Sequence, residues 1–275
     1  MKISIITACK NAENLIGSTV RSVLSQSAVA AGRVSLEYLI IDGGSTDRTL
    51  EVIQRVDPAN STLISSEPDS GVYDALAKGF ARATGDVVGY LNAGDFLFPS
   101  ALGTLQDAFE AVPVSWMTGY STLGNARQQP TRVNLPFRFR RRFFLNGIHG
   151  TYLPTLQQES TFWRRNALED FDWAKFRQLK LAGDFLLWQH LSRKEPPVVL
   201  HSLIGAFCAH PNQLSADNSK YVAELMSLCD SPGILDWGIA MLDSILWKSP
   251  PGAKRRLGGR GHVTFDTKTN CWKLE

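Results

Sequence analysis

Cysteine is scarce: Cys9, Cys208, Cys229 and Cys271 stand far apart in 275 residues. Their spacing offers neither paired metal ligands nor a disulfide framework, so free thiols in a reducing compartment are expected. Long apolar runs are missing too. None approaches the roughly 18–20 residues of a membrane span, and Met1-Lys2-Ile3-Ser4-Ile5-Ile6 turns polar within ten residues, unlike a signal peptide. A cytoplasmic protein is the expectation. Neither charge sign is in large excess: 29 Lys and Arg against 26 Asp and Glu leave +3, too little to argue for nucleic acid. Two phosphate-binding signatures are also missing. No Gly-x-x-x-x-Gly-Lys-Ser/Thr loop occurs, and the turn Ala8-Cys9-Lys10-Asn11 lacks the glycines of a dinucleotide fingerprint. A P-loop NTPase and a Rossmann dehydrogenase are thereby excluded, and a nucleotidyltransferase is disfavoured by the absence of a glycine- and basic-rich loop.

What is present is an α/β alternation, in a composition of 44% hydrophobic and 20% charged residues that is ordinary for a globule. Strands are expected at Ile3 to Thr7, Leu36 to Asp42, Ser61 to Ser65, Val87 to Leu91 and Val114 to Thr118. Helical faces lie between them: Leu15, Ile16, Val20, Val23 and Leu24; Ala75, Leu76, Phe80 and Ala83; Leu102, Leu105 and Phe109. Strand and helix in alternation predict a mostly parallel sheet with right-handed crossovers. The most telling segment is Tyr38-Leu39-Ile40-Ile41-Asp42-Gly43-Gly44-Ser45-Thr46-Asp47. A buried strand ends in a carboxylate, glycines allow the turn, and Ser45, Thr46 or Asp47 can cap the next helix. In open α/β sheets that edge binds ligands. Asp42 therefore either accepts hydrogen bonds from a base or ribose or merely caps a helix. Gly89 to Asp95 repeats the theme, with Asp95 able to hold a hard cation or to cap a helix.

From about Leu123 the pattern breaks. Arg138, Arg140, Arg141 and Arg142 alternate with Phe137, Phe139, Phe143 and Phe144, a mixture suited to phosphates beside hydrocarbon. A strand around Ser160 to Arg164, a helix from Asp184 through Leu191, a strand at Val198 to His201 and helices near Tyr221 and Trp237 are expected next. The apolar helix Ile234 to Trp247 leads into Lys248, Lys254, Arg255, Arg256 and Arg260 without one acid up to Phe265. This tail reads equally as a membrane contact or as a helix docked on its own domain with a solvated charge run.

Four ordered motifs carry a resemblance: Ile5-Ile6-Thr7 with Asn11; Ile41-Asp42-Gly43-Gly44-Ser45-Thr46-Asp47; Ser66-Glu67-Pro68-Asp69-Ser70-Gly71-Val72-Tyr73-Asp74-Ala75 with Lys78-Gly79; and Leu91-Asn92-Ala93-Gly94-Asp95. Together they resemble the family 2 glycosyltransferases. The likeness continues, more weakly, through Gln157 to Arg165, Ala182 to Trp188 and Phe207 to Ser215. It implies the GT-A fold over residues 1–230, with a nucleotide-sugar half at 1–120 and an acceptor half at 121–230, followed by a helix and basic tail at 231–275. It implies inverting transfer from a nucleoside-diphosphate sugar, UDP-linked by preference, to a glycan or lipid-diphosphate-linked hydroxyl in surface polysaccharide synthesis. The enzyme would be cytoplasmic, or peripheral at the inner face of the plasma membrane. Donor-binding roles fall on Thr7, Asp42, Asp69, Lys78 and Asn92, and Mg²⁺ or Mn²⁺ would be held by Asp95 and His210. Many relatives carry two or three acids where this chain has Asn92-Ala93-Gly94-Asp95. A catalytically weak nucleotide-sugar-binding partner subunit is accordingly the rival reading. Asp184 matches the base position, and Gln157, Gln158 and Glu159 the acceptor wall; Trp163 or Trp188 could stack on a sugar, but core packing is the more usual fate of a tryptophan and neither is counted in the site.

Overall fold

The computed structural model describes residues 1–209, 218–258 and 261–275. A nine-stranded sheet runs through it in the order Cys271–Leu274, His262–Asp266, Val198–Leu200, Trp116–Thr118, Thr161–Arg164, Val87–Tyr90, Lys2–Cys9, Ser35–Asp42, Leu63–Ser66. The four strands Val87–Tyr90, Lys2–Cys9, Ser35–Asp42 and Leu63–Ser66 are mutually parallel. Their carboxyl ends therefore share one edge. Thr161–Arg164 is inserted antiparallel to both its neighbours. A second sheet joins Phe96–Leu97, Gly205–Cys208, Ser121–Gly124 and Pro130–Asn134 above that edge.

Alternation along Lys2–Cys9 explains the layers. Ile3 and Ile5 face Val20, Leu102 and Leu105, whereas Ile6 and Ala8 face Leu76, Phe80 and Trp163. Helices Ile16–Leu24 and Ala101–Ala111 cover one side, Val72–Arg82 and Gly183–Ser192 the other. Because both faces are covered, the strands read as continuous apolar runs rather than alternating ones.

Trp163 and Trp188 pack in the core: both are fully buried, 6.0 Å apart edge to face, with Trp116 stacked on Trp188. Burying rings of this size contributes roughly 1.5–3 kcal/mol each, and core packing claims them. Phe137, Phe139, Phe143 and Phe144 are buried as well, so the Arg/Phe segment presents no hydrocarbon outward. Its arginines turn to the helix Ile234–Trp247, where Arg140 pairs with Asp243 at 2.5 Å and Arg142 with Asp236 at 2.6 Å. The chain beyond residue 230 is not a simple appendage either. His262–Asp266 adds to the sheet beside Val198–Leu200, Lys254 is buried and donates to the Leu135 carbonyl at 2.8 Å, and Arg255 pairs with Glu275.

Candidate active site

The shared edge of strand ends is organised by Asp42. Its buried carboxylate accepts the Ser45 amide at 2.9 Å, the Ser66 hydroxyl at 2.6 Å and the Ser45 hydroxyl. Burial alone would raise this carboxyl, but the hydroxyls of Ser45 and Ser66 and the Ser45 amide prevail and hold it below the usual range. Asp47, one residue before the N-cap Arg48 of the next helix, accepts the Thr49 amide at 2.9 Å. Gly43 has a packing reason: a Cβ there would lie 2.3 Å from Asp69 Oδ2. Asp69 is thus laid directly against the turn that follows Asp42, and it accepts the Gly71 amide at 3.0 Å. Lys78 stands over the same loop, paired with Glu67 at 3.0 Å and Asp74 at 3.5 Å and donating to the Pro68 carbonyl. Thr7 is fully buried with its hydroxyl 3.0 Å from the Tyr38 phenol, so only its backbone is left to line a base pocket.

Beside this edge lies an acidic cluster. Asp95 is buried, accepts the Cys208 amide at 2.9 Å and receives Gln158 Nε2 at 3.4 Å. Burial pushes its carboxyl up to about 7, against the opposing pull of the Cys208 amide. Glu159 is buried too, and burial, then the charges of Asp95 and Asp184, drive its carboxyl well above the ordinary range. Asn92 Oδ1, Gln158 Oε1 and Glu159 Oε1 are buried without hydrogen-bond partners. Buried oxygens left orphaned around one carboxylate suit a hard cation or a polar ligand. Among the described residues no three His, Cys, Asp or Glu side chains form a complete cage, and His210 lies outside the described residues. The donor set fits a cation held by one carboxylate, neutral oxygens and substrate phosphates.

Asp184 opens the helix Gly183–Ser192. Ala182 is the N-cap residue of that helix, so Asp184 stands inside its first turn. It accepts the Phe185 amide at 2.7 Å and faces the Tyr221 hydroxyl at 3.4 and 3.5 Å. Burial pushes it up to about 7, although the Phe185 amide and the Tyr221 hydroxyl pull it down. The close approach of Tyr73 requires Gly183, since a Cβ there would stand 2.5 Å from the ring. The preceding loop is pinned twice. Tyr73 donates to the Leu181 carbonyl at 2.6 Å, and Glu224 accepts the amides of Lys180, Leu181 and Ala182 at 2.9, 2.6 and 2.6 Å.

The structure therefore brings Asp42, Asp69 and Lys78 to one edge, and Asp95, Gln158, Glu159 and Asp184 into a common electrostatic environment. Gln157 is set apart: it is spent on the backbone of Thr122, accepting its amide and donating to its carbonyl. Tyr221 and Glu224 escaped the sequence reading. Their spacing of three places both on one face of the helix Asn218–Met226, the one signal available for them.

The family model described as Glycosyl transferase family 2 matches residues 4–170, more than half of the chain. An uncharacterized glycosyltransferase of Mycobacterium tuberculosis is 32% identical over 147 residues, 53% of each protein. The chain spans about half the length of such curated relatives. Staphylococcus aureus TarS (residues 1–349), solved with UDP-GlcNAc, superimposes with a TM-score of 0.61 over 92% of this chain and 77% of that one, at 12% identity. Glucosyl-3-phosphoglycerate synthase of M. tuberculosis, solved with Mn²⁺, UDP-glucose and phosphoglyceric acid, gives 0.51 over 85% and 81%, at 18% identity. These structural likenesses are ones of fold, and that fold is GT-A. With the family match covering the Asp42 edge, the Asp95 turn and Glu159, the chain belongs to glycosyl transferase family 2.

Proposed function

We propose that this chain is an inverting, metal-assisted hexosyltransferase that moves a sugar from a nucleoside-diphosphate sugar, UDP-linked, to a hydroxyl of a growing glycan or lipid-diphosphate-linked acceptor in surface polysaccharide synthesis. The observation that carries the reading is Asp184: a carboxylate poised near pH 7 and anchored by a pinned loop. A general base works best when its pKa lies near the working pH. Its Oδ takes the acceptor hydroxyl proton as that oxygen bonds the anomeric carbon, and the bond to the diphosphate breaks with its electron pair leaving on the nucleotide. Attack opposite the leaving group inverts the configuration. Asp42, ionised and oriented by Ser45 and Ser66, accepts the base N–H, with Asp69 beside it. Lys78 reaches a phosphate by exchanging Glu67 or Asp74 for it. Asn92 and Asp95 would hold Mg²⁺ or Mn²⁺ with the diphosphate, and such an ion, when bound, neutralises the leaving group's charge. Gln158 and Glu159 form the acceptor side, with Gln157 holding the neighbouring strand. The relatives' UDP-sugar and Mn²⁺ complexes support donor and cation.

The test is turnover of UDP-sugars with Mn²⁺ and an oligosaccharide acceptor, followed by proton NMR of the new anomeric centre. Inverted product is expected. Retained configuration, or nucleotide binding without hydrolysis or transfer of any nucleotide sugar, would overturn the proposal.

A further inference from the structure

The helix Ile234–Trp247 is inverted relative to an ordinary surface helix. Its acids face inward: Asp236 and Asp243 are buried, the first paired with Arg142 and the second with Arg140 at 2.5 and 2.9 Å and Arg138 at 3.5 Å. Its aliphatic side chains face outward. Ile234, Leu235, Met241, Leu242 and Ile245 are 91, 77, 62, 65 and 66% exposed. At 3.6 residues per turn these five and Gly238 fall on a stripe about 120° wide. The opposite side seats Ala240 against Phe143, Ile148 and Leu153, which fixes the helix with its apolar stripe outward. At the rim, half-exposed Tyr152 and Trp237 meet edge to face at 5.6 Å. Contiguous apolar exposure of this kind marks an interaction surface.

The charge around it identifies the occupant. Between residues 225 and 258 the acids are Asp230, Asp236 and Asp243, and Asp230 alone is exposed. Arg141, Lys248 and Arg256 are exposed, the first beside the arginines that pair with the helix, the second at its C-terminus and the third on the helix Pro251–Leu257 packed against it. An apolar stripe with cationic edges complements a surface that offers anions beside hydrocarbon. A second copy would not, since a two-fold contact opposes each patch with itself and sets these cations against one another. We propose that this face docks on an anionic lipid bilayer, the helix lying in the headgroup plane with Leu235, Met241, Leu242 and Ile245 turned into the acyl boundary. The contact thus belongs to the apolar helix, and Lys254 and Arg255 are occupied within the fold.

The test is flotation of the full chain with phosphatidylcholine vesicles, with and without phosphatidylglycerol, at low and high salt and without substrates, so that its outcome is separate from that of the transferase reading. The wild type should float with the anionic vesicles and less so at high salt. Replacing Leu235, Met241, Leu242 and Ile245 together by Gln should cut the bound fraction at least roughly tenfold while the melting temperature is kept. The triple variant Arg141→Gln, Lys248→Gln, Arg256→Gln should lose the preference for anionic vesicles. A wild type that ignores both vesicle types overturns the proposal. So does light scattering that shows a dimer dispersed by the Gln variant without vesicle binding, which would make the face an interface between copies.

Discussion

Glu224→Ala separates the placement of Asp184 from its chemistry. The Glu224 carboxylate accepts three consecutive backbone amides, Lys180 through Ala182, immediately before Asp184. Hydrogen bonds to a charged group contribute about 1.5–3 kcal/mol each, but this loop borders solvent and freed amides rehydrate, so a total loss of about 2–4 kcal/mol is expected. Tyr73 still holds the Leu181 carbonyl, so the protein should remain folded. Glu224→Gln keeps one oxygen and should lose about 1–2 kcal/mol. In both variants kcat should fall, by roughly tenfold or more for Ala, because a base displaced by about 1 Å loses its alignment with the acceptor. Donor affinity should hold, since Asp42 lies on a separate strand end. Urea unfolding and steady-state kinetics at saturating donor provide the readouts. An Ala variant with wild-type midpoint and kcat would show that Tyr73 alone positions the loop and that Glu224 has no part in it.

Other outcomes follow from the same geometry. Asp42→Ala should weaken UDP binding with or without Mn²⁺, whereas Asp95→Ala should remove only the Mn²⁺-dependent part; calorimetric titration distinguishes them, and equal losses in both conditions would contradict the division. Asp243→Ala leaves Arg140 and Arg138 without their buried partner and should cost about 2–4 kcal/mol in urea unfolding, at the lower side of buried-pair breakage because the arginines are partly exposed. Asp95 has a folded pKa raised from 3.8 to about 7. Its stabilising share is therefore fully present below about pH 4 and lost as pH rises through 7, so Asp95→Asn should flatten the fall in melting temperature between about pH 5 and 8.

Much of the fold was legible because the strands are buried on both faces and end in punctuated turns. Leu36 to Asp42 matches the observed Ser35–Asp42 to within a residue, and Ser160 to Arg164 matches Thr161–Arg164. The antiparallel insertion of that last strand was not legible, since pairing direction depends on partners distant in sequence. The place of Asp42 at a strand end was readable, because the apolar run stops there at a glycine turn. Gln157 was misjudged because an amide facing a neighbouring backbone looks in sequence like one facing a ligand. The Phe segment failed for a related reason: composition cannot distinguish an aromatic that covers a core from one that meets a lipid. Glu224 and Tyr221 act through contacts some forty residues away in sequence, which no local pattern announces.

Whether Asp184 is the base is decided by the pH dependence of kcat for the wild type beside the Asp184→Asn variant, with donor dissociation constants taken in parallel. A carboxyl near 7 predicts a wild-type kcat that rises as pH increases through that value and then levels, as the carboxylate form accumulates. Asp184→Asn should lose roughly 10²-fold or more in kcat, lose the inflection and bind donor with nearly unchanged affinity. Near-wild-type turnover by the Asn variant, or an inflection that survives the substitution, would contradict the account and assign the proton to another group.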